Sequence, residues 1–160
     1  MHRKRNWRYC QGVTLPVSFH DCDAMGVVWH GNFLRFCEIA RERLLRDRGL
    51  NYELFAAKRH FFPVIEEKLR FRKPIRLADR DVMVSAYVME AENRFVIGYT
   101  VCNGQSELCV YGHTVQVAVD AVDGRLLLEL PDYVRNAFAP PYLNDHLGKA
   151  ANGIPGNEDP

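Results

Sequence analysis

Residues Phe19 to Leu45, FHDCDAMGVVWHGNFLRFCEIARERLL, decide how the rest of this chain is read. The stretch opens on a short loop with two aspartates, Asp21 and Asp23. It then passes through Gly26, the apolar trio Val27, Val28 and Trp29, and His30. A helix is predicted to follow. Phe33, Phe36, Cys37, Ala40 and Leu44 recur at i, i+3, i+4, i+7 and i+11, one apolar stripe at helical period, while Arg35, Glu42, Arg43 and Arg46 occupy other faces. The first-turn N–H groups of a helix lack intrahelical partners, so this stretch sets a carboxylate loop just ahead of an anion site.

Outward from that helix the chain is rich in strand signals. Upstream, Gly12 to Phe19 (GVTLPVSF) has a β-like pattern, with Pro16 pointing to an edge or a bulge. Downstream, Gly49 suits the end of the long helix and Asn51 suits the cap of a short one, YELFAAKR. His60 to Arg72 ends in imperfect alternation. Asp81 to Glu90 alternates cleanly, with Val82, Val84, Ala86 and Val88 on one side. Phe95 to Asn103 continues as a strand after a turn at Glu92-Asn93-Arg94. Asn103-Gly104 signals a hairpin whose loop Gln105 and Ser106 lengthen. Leu108 to Asp120, rich in Val, Thr and Tyr, is the strongest strand pattern, and Val122 to Arg125 turns the chain again. Pro131 to Phe138 is predicted as a short terminal helix. The chain divides into a basic flexible arm at 1–11, one domain at 12–138 and a Pro- and Gly-rich tail at 139–160 expected to be disordered.

One strand, a long apolar-faced helix and then about four antiparallel strands make an α+β layout. A single sheet around one helix leaves an edge and a face to cover, and self-association covers both.

The composition narrows the function classes. The 160 residues carry 21 Lys and Arg against 20 Asp and Glu, a net charge of +1, so there is no bulk attraction to nucleic acid. No apolar run approaches the ~18 residues of a membrane span, and the basic start MHRKRNWRYCQG lacks the apolar segment of a signal peptide. The five cysteines form no CxxC pair and no zinc-like spacing with histidine, so free thiols in a reducing, cytoplasmic compartment are expected. No metal and no cofactor are expected.

The string from Asp21 through Cys22, Asp23, Gly26, Trp29, His30, Phe33, Phe36, Glu38 and Arg41 resembles the signature of the 4-hydroxybenzoyl-CoA thioesterase family, including its YbgC-type acyl-CoA thioesterases. Arg72-Lys73-Pro74 to Leu77-Ala78-Asp79 resembles the family's loop between its second and third strands, with Ala78 where that loop usually carries glycine. The resemblance covers residues 12–138. It implies a hotdog fold, in which an antiparallel five- to six-stranded sheet wraps one long central helix. It also implies an acyl-CoA thioesterase that works as a homodimer or homotetramer.

Carried over by position, the resemblance makes Asp23 the catalytic carboxylate, acting as nucleophile on the thioester carbonyl or as general base toward water. It makes the backbone N–H of His30 the oxyanion donor at the helix start. Trp29, Gly31 and Phe33 are expected around the acyl group. Arg72, Lys73 and Arg76, with Arg70 nearby, are expected to hold the phosphates of coenzyme A or of a carrier's phosphopantetheine, unless they are simply solvated strand ends.

Glu38 carries two readings. A second hotdog branch places its catalytic glutamate on this helix, eight residues beyond the oxyanion donor, and Glu38 stands eight beyond His30. Alternatively it pairs with Arg41 or Arg35 at helical spacing. Asp21 reads as a turn or cap residue, and His60 and His113 as structural histidines. The expected activity is hydrolysis of an acyl-CoA. The alternatives are a thioesterase acting on acyl carrier protein, or a non-catalytic module that binds acyl-CoA. The acyl group is not legible.

Overall fold

The computed structural model describes residues 8–139. Most of the expected basic arm and all but Ala139 of the expected tail lie outside the described residues. The chain runs as β1 (Arg8–Pro16), a 3-10 turn (Phe19–Asp21), α1 (Asn32–Arg46), α2 (Tyr52–Ala57), β2 (His60–Phe61) and β3 (Val64–Phe71). A second 3-10 turn (Leu77–Asp79), β4 (Asp81–Ala91), β5 (Phe95–Cys102), β6 (Leu108–Gln116), β7 (Val119–Asp120) and α3 (Asp132–Ala137) complete it. Five strands form one sheet in the order β1-β4-β5-β6-β3, every neighbouring pair antiparallel; β2 and β7 pair separately.

This is the α+β layout read from the sequence and the hotdog arrangement that the family resemblance implies. The whole predicted stripe of α1, Phe33, Phe36, Cys37, Ala40 and Leu44, is buried. It shares one core with Val82, Val84, Ala86 and Val88 of β4 and with Ile97, Tyr99 and Val101 of β5. Each large apolar side chain so buried contributes roughly 1.5–3 kcal/mol. Ala40, with no exposed surface, lets the helix backbone approach the sheet closely. Asn51 caps α2 as expected, its Oδ1 accepting the Leu54 N–H at 2.8 Å.

Several element boundaries differ from the sequence reading, and three of them have a reason set by backbone bonding. β1 begins at Arg8 and ends at Pro16, instead of spanning 12–19, so residues 8–11 of the expected arm belong to a strand. Its length follows from its partner, since β4 runs eleven residues and supplies pairing positions as far as Val88. At the other end, Ser18 is drawn out of the strand because its N–H donates to the Asp21 carboxylate while its carbonyl takes the Asp21 N–H. The expected strand 108–120 breaks after Gln116, where the Val117 N–H turns to the Pro63 carbonyl and the remainder pairs with β2. The weak alternation before Arg72 has a cause too: β3 is an edge strand, and seven of its eight residues are exposed.

Candidate active site

The loop between β1 and α1 folds back on itself. Cys22 and Val28 bridge as an antiparallel pair, and the Asp23 N–H donates to the Val27 carbonyl at 2.8 Å. A β-turn closes the tip: the Gly26 N–H donates to the Asp23 carbonyl at 2.9 Å, with Gly26 at φ 72°, a conformation that favours glycine. The loop is stitched to the segment before the second 3-10 turn. The Val28 N–H donates to the Ile75 carbonyl at 2.8 Å, and Val27 bridges to Arg76.

Asp23 stands on this turn with its carboxylate half-exposed. Its Oδ1 accepts the Met25 N–H at 2.8 Å, and Oδ2 takes no partner among the described residues. Asp21 is its opposite. At 1% exposure it is buried, and its carboxylate accepts the Ser18 N–H at 2.8 Å and a hydrogen bond from the Arg35 guanidinium. Its carbonyl accepts both the Trp29 N–H and the Asn32 Nδ2, each at 2.9 Å. The turn role expected of Asp21 is present, and the link to Arg35 is additional.

The helix begins beside these groups. The Asn32 N–H donates to the Trp29 carbonyl and the Phe33 N–H to the His30 carbonyl, while the N–H groups of His30 and Gly31 meet no acceptor among the described residues. Two open donors thus lie at the positive end of a fifteen-residue helix. The Trp29 indole packs against Gly31: a Cβ there would fall 2.3 Å from the ring, so only glycine leaves room for the indole here. Trp29 is 49% exposed and presents a free aromatic face, its ring 5.1 Å from that of His30. Phe33, at 3% exposure, is wedged edge-on against Phe36 and Phe71 and serves the core.

Glu38 lies about 12 Å along the helix axis from His30. Its carboxylate sits 2.5 Å from Arg41 Nη2, the helical pairing that formed one of its two readings. Arg35 is not its partner, being taken by Asp21. Beneath α1 the structure adds a polar set that the sequence did not single out. Tyr99 Oη and Thr114 Oγ1 lie 3.0 Å apart, and Gln116 Nε2 donates to Thr114. Arg41 Nη1 and Gln116 Oε1 are buried without partners among the described residues. Burial pushes the Tyr99 hydroxyl well above its ordinary range, against the Thr114 hydrogen bond. It also pushes the Cys37 thiol up to about 12.

Of the basic set, Lys73 is neutralised by Glu107, with Nζ 2.5 Å from Oε1. Arg72 and Arg76 are exposed and form no ion pair among the described residues. Arg76 stands nearest the carboxylate loop through its bridge to Val27.

Known proteins resemble this chain in sequence and in fold. The thioesterase-like superfamily matches residues 17–138, from the end of β1 to α3. The chain belongs to that superfamily. A Synechocystis sp. protein named as an esterase is 30% identical over 129 residues, covering 77% of this chain and 75% of its own. The acyl-CoA thioester hydrolase YbgC of Escherichia coli is 27% identical over 104 residues, 65% of this chain and 78% of that one. The crystal structure of a 4-hydroxybenzoyl-CoA thioesterase variant with 4-hydroxybenzoyl-CoA superposes with a TM-score of 0.73 over 82% of this chain and 99% of that one, at 17% identity, a likeness of fold. No helix among the described residues of this superfamily member is long and apolar enough to cross a membrane.

Proposed function

We propose that this protein is a thioester hydrolase that cleaves acyl-CoA to a free acid and coenzyme A. The observation that carries the reading is the half-exposed Asp23 carboxylate, with one oxygen unengaged, in a loop that leads into a helix whose first N–H groups are open. The names of the relatives, an esterase and an acyl-CoA thioester hydrolase, support it.

The chemistry follows from those groups. The thioester carbonyl oxygen lies at the His30 and Gly31 N–H groups, which stabilise the negative charge that develops on it; one such donor typically contributes about 3 kcal/mol. As general base, Asp23 takes a proton from water, and the hydroxide adds to the carbonyl carbon. The C–S bond then breaks, and the thiolate of coenzyme A leaves and is protonated. As nucleophile, a carboxylate oxygen of Asp23 adds instead, expels the thiolate and forms an anhydride that water opens. Both routes use the same carboxylate. Trp29 offers its free face to the acyl or pantetheine portion, and Arg72 and Arg76 pair with phosphate oxygens. Lys73, already paired with Glu107, contributes less.

The chain acts as a homodimer or a homotetramer in this reading. The exposed β3 edge, with Val64, Ile65 and Phe71 on its surface, supports association. A phosphopantetheine on an acyl carrier protein would present the same thioester to the same groups, and the difference is measurable.

The test is hydrolysis of a panel of short, long and aromatic acyl-CoA thioesters by wild type and Asp23→Asn. Turnover of at least one ester, lost by roughly a thousandfold or more in Asp23→Asn, supports the proposal. Turnover only of acyl-carrier substrates moves the reading to the carrier. Tight binding of an acyl-CoA that survives for hours makes the protein a binding module.

A further inference from the structure

Asp21 does more here than close a turn. Four hydrogen bonds converge on it: the Ser18 N–H and the Arg35 guanidinium on its carboxylate, and the Trp29 N–H and Asn32 Nδ2 on its carbonyl. They tie the segment after β1, the approach to α1 and the first turn of α1 to a single residue. Cys22 alone separates Asp21 from Asp23, and Trp29 is the immediate neighbour of His30. Both halves of the proposed chemistry, the Asp23 carboxylate and the open N–H groups of His30 and Gly31, therefore hang from the same point. Arg35 supplies the rigid end of the link, because it projects from the first turn of a fifteen-residue helix.

The surroundings leave this carboxylate few other partners. Its side chain is 2% exposed, and among the described residues the only other basic side chain near it is the His20 imidazole, at 3.9 Å and itself mostly in solvent. Without the guanidinium, a buried charge would keep only the Ser18 N–H, and the loop would keep only the Asn32 side chain as its tie to the first turn of α1.

We infer that Asp21, held by Arg35, is a positioning residue that sets the spacing between the Asp23 carboxylate and the leading N–H groups of α1. The inference rests on Asp23 being the catalytic carboxylate. Two groups that must meet one carbonyl are sensitive to that spacing, and a displacement of about 1 Å is enough to cost roughly a hundredfold in rate. Substrate binding through Arg72 and Arg76 does not run through Asp21, and side-chain variants of Asp21 and Arg35 keep the Asp21 carbonyl that holds the Trp29 N–H, so the effect falls on kcat.

The experiment is steady-state kinetics on one hydrolysed acyl-CoA with D21N, R35Q, R35K, the double variant D21N/R35Q and D23N, beside circular dichroism and thermal melts. Asn keeps the shape of Asp21 and still accepts the Ser18 N–H. R35K is the mildest change, at a side chain 51% exposed, and keeps the test open should D21N fail to fold. The expected result is a fall in kcat of roughly 10- to 100-fold in D21N and R35Q with KM within about twofold, an intermediate loss in R35K, and a double variant no worse than the worse single one. Wild-type kcat in folded D21N or R35K while D23N is inactive overturns the inference alone. So does a fall in kcat that only tracks the folded fraction, or losses that multiply in the double variant. An active D23N overturns the reading of Asp23, and the inference with it.

Discussion

The Glu38 carboxylate lies 2.5 Å from the guanidinium of Arg41, one turn further along α1. That contact bears on which acid does the chemistry. Glu38 is held in an intrahelical pair about 12 Å from the open helix end, whereas Asp23 precedes that end and keeps one oxygen unengaged.

Replacing Glu38 by Gln is therefore expected to leave kcat/KM within about threefold of wild type, against a loss of a thousandfold or more in Asp23→Asn. Glu38 is 52% exposed, so loss of its ion pair changes stability by less than about 1 kcal/mol. Parallel kinetics of the two variants decide it. A large loss in Glu38→Gln with Asp23→Asn still active would place the chemistry on the helix.

Gly31→Ala puts a methyl group where the Trp29 ring now lies, 2.3 Å from its nearest atom. The indole must swing away and expose more of its surface. In a Trp7→Phe background, the Trp29 emission is expected to shift to longer wavelength, with a loss of kcat/KM of roughly tenfold because the proposed oxyanion backbone is disturbed. Unchanged emission would mean that the ring does not rest on Gly31.

Ala40→Leu tests how closely the helix sits on the sheet. Ala40 has no exposed surface and faces the strand core, so three additional carbons are expected to destabilise the fold by about 1–3 kcal/mol. Urea denaturation measures this directly, and a neutral result would show slack between α1 and the sheet.

The Cys37 thiol links stability to alkaline pH. Burial raises it from an ordinary 9.0 to about 12. Above pH 9 the unfolded chain has lost a proton that the folded chain retains, so the contribution of this thiol is complete below pH 9 and fades as the pH rises toward about 12. Tyr99, raised by burial above its ordinary 10.0, adds a loss of the same sign. Cys37→Ala is expected to flatten part of the decline in urea stability across that window. Curves of identical slope would rule out the linkage.

Much of the architecture is legible in the sequence. The helical stripe from Phe33 to Leu44, the alternation of Val82, Val84, Ala86 and Val88, and the cap at Asn51 are local patterns, and each corresponds to a buried face or a bond within a few residues. The Asp23 loop and the start of α1 were equally legible, because turn and helix signals act over the same short range. The boundaries of β1 and β6 were not, since a strand ends where its partner stops pairing.

By itself, the sequence determined which segments are helix or strand, which faces are apolar, and that a carboxylate loop leads into a helix start. Tertiary structure alone decided which charges meet across distant segments. It joined Arg35 to Asp21, fourteen residues earlier in the chain, rather than to Glu38, and it paired Lys73 with Glu107, thirty-four residues away. It also gathered Tyr99, Thr114 and Gln116 beneath α1. Periodicity records which side of an element is buried, a property of each segment alone. The partner of a charge depends on where the backbone carries two distant segments, and no local pattern holds that information.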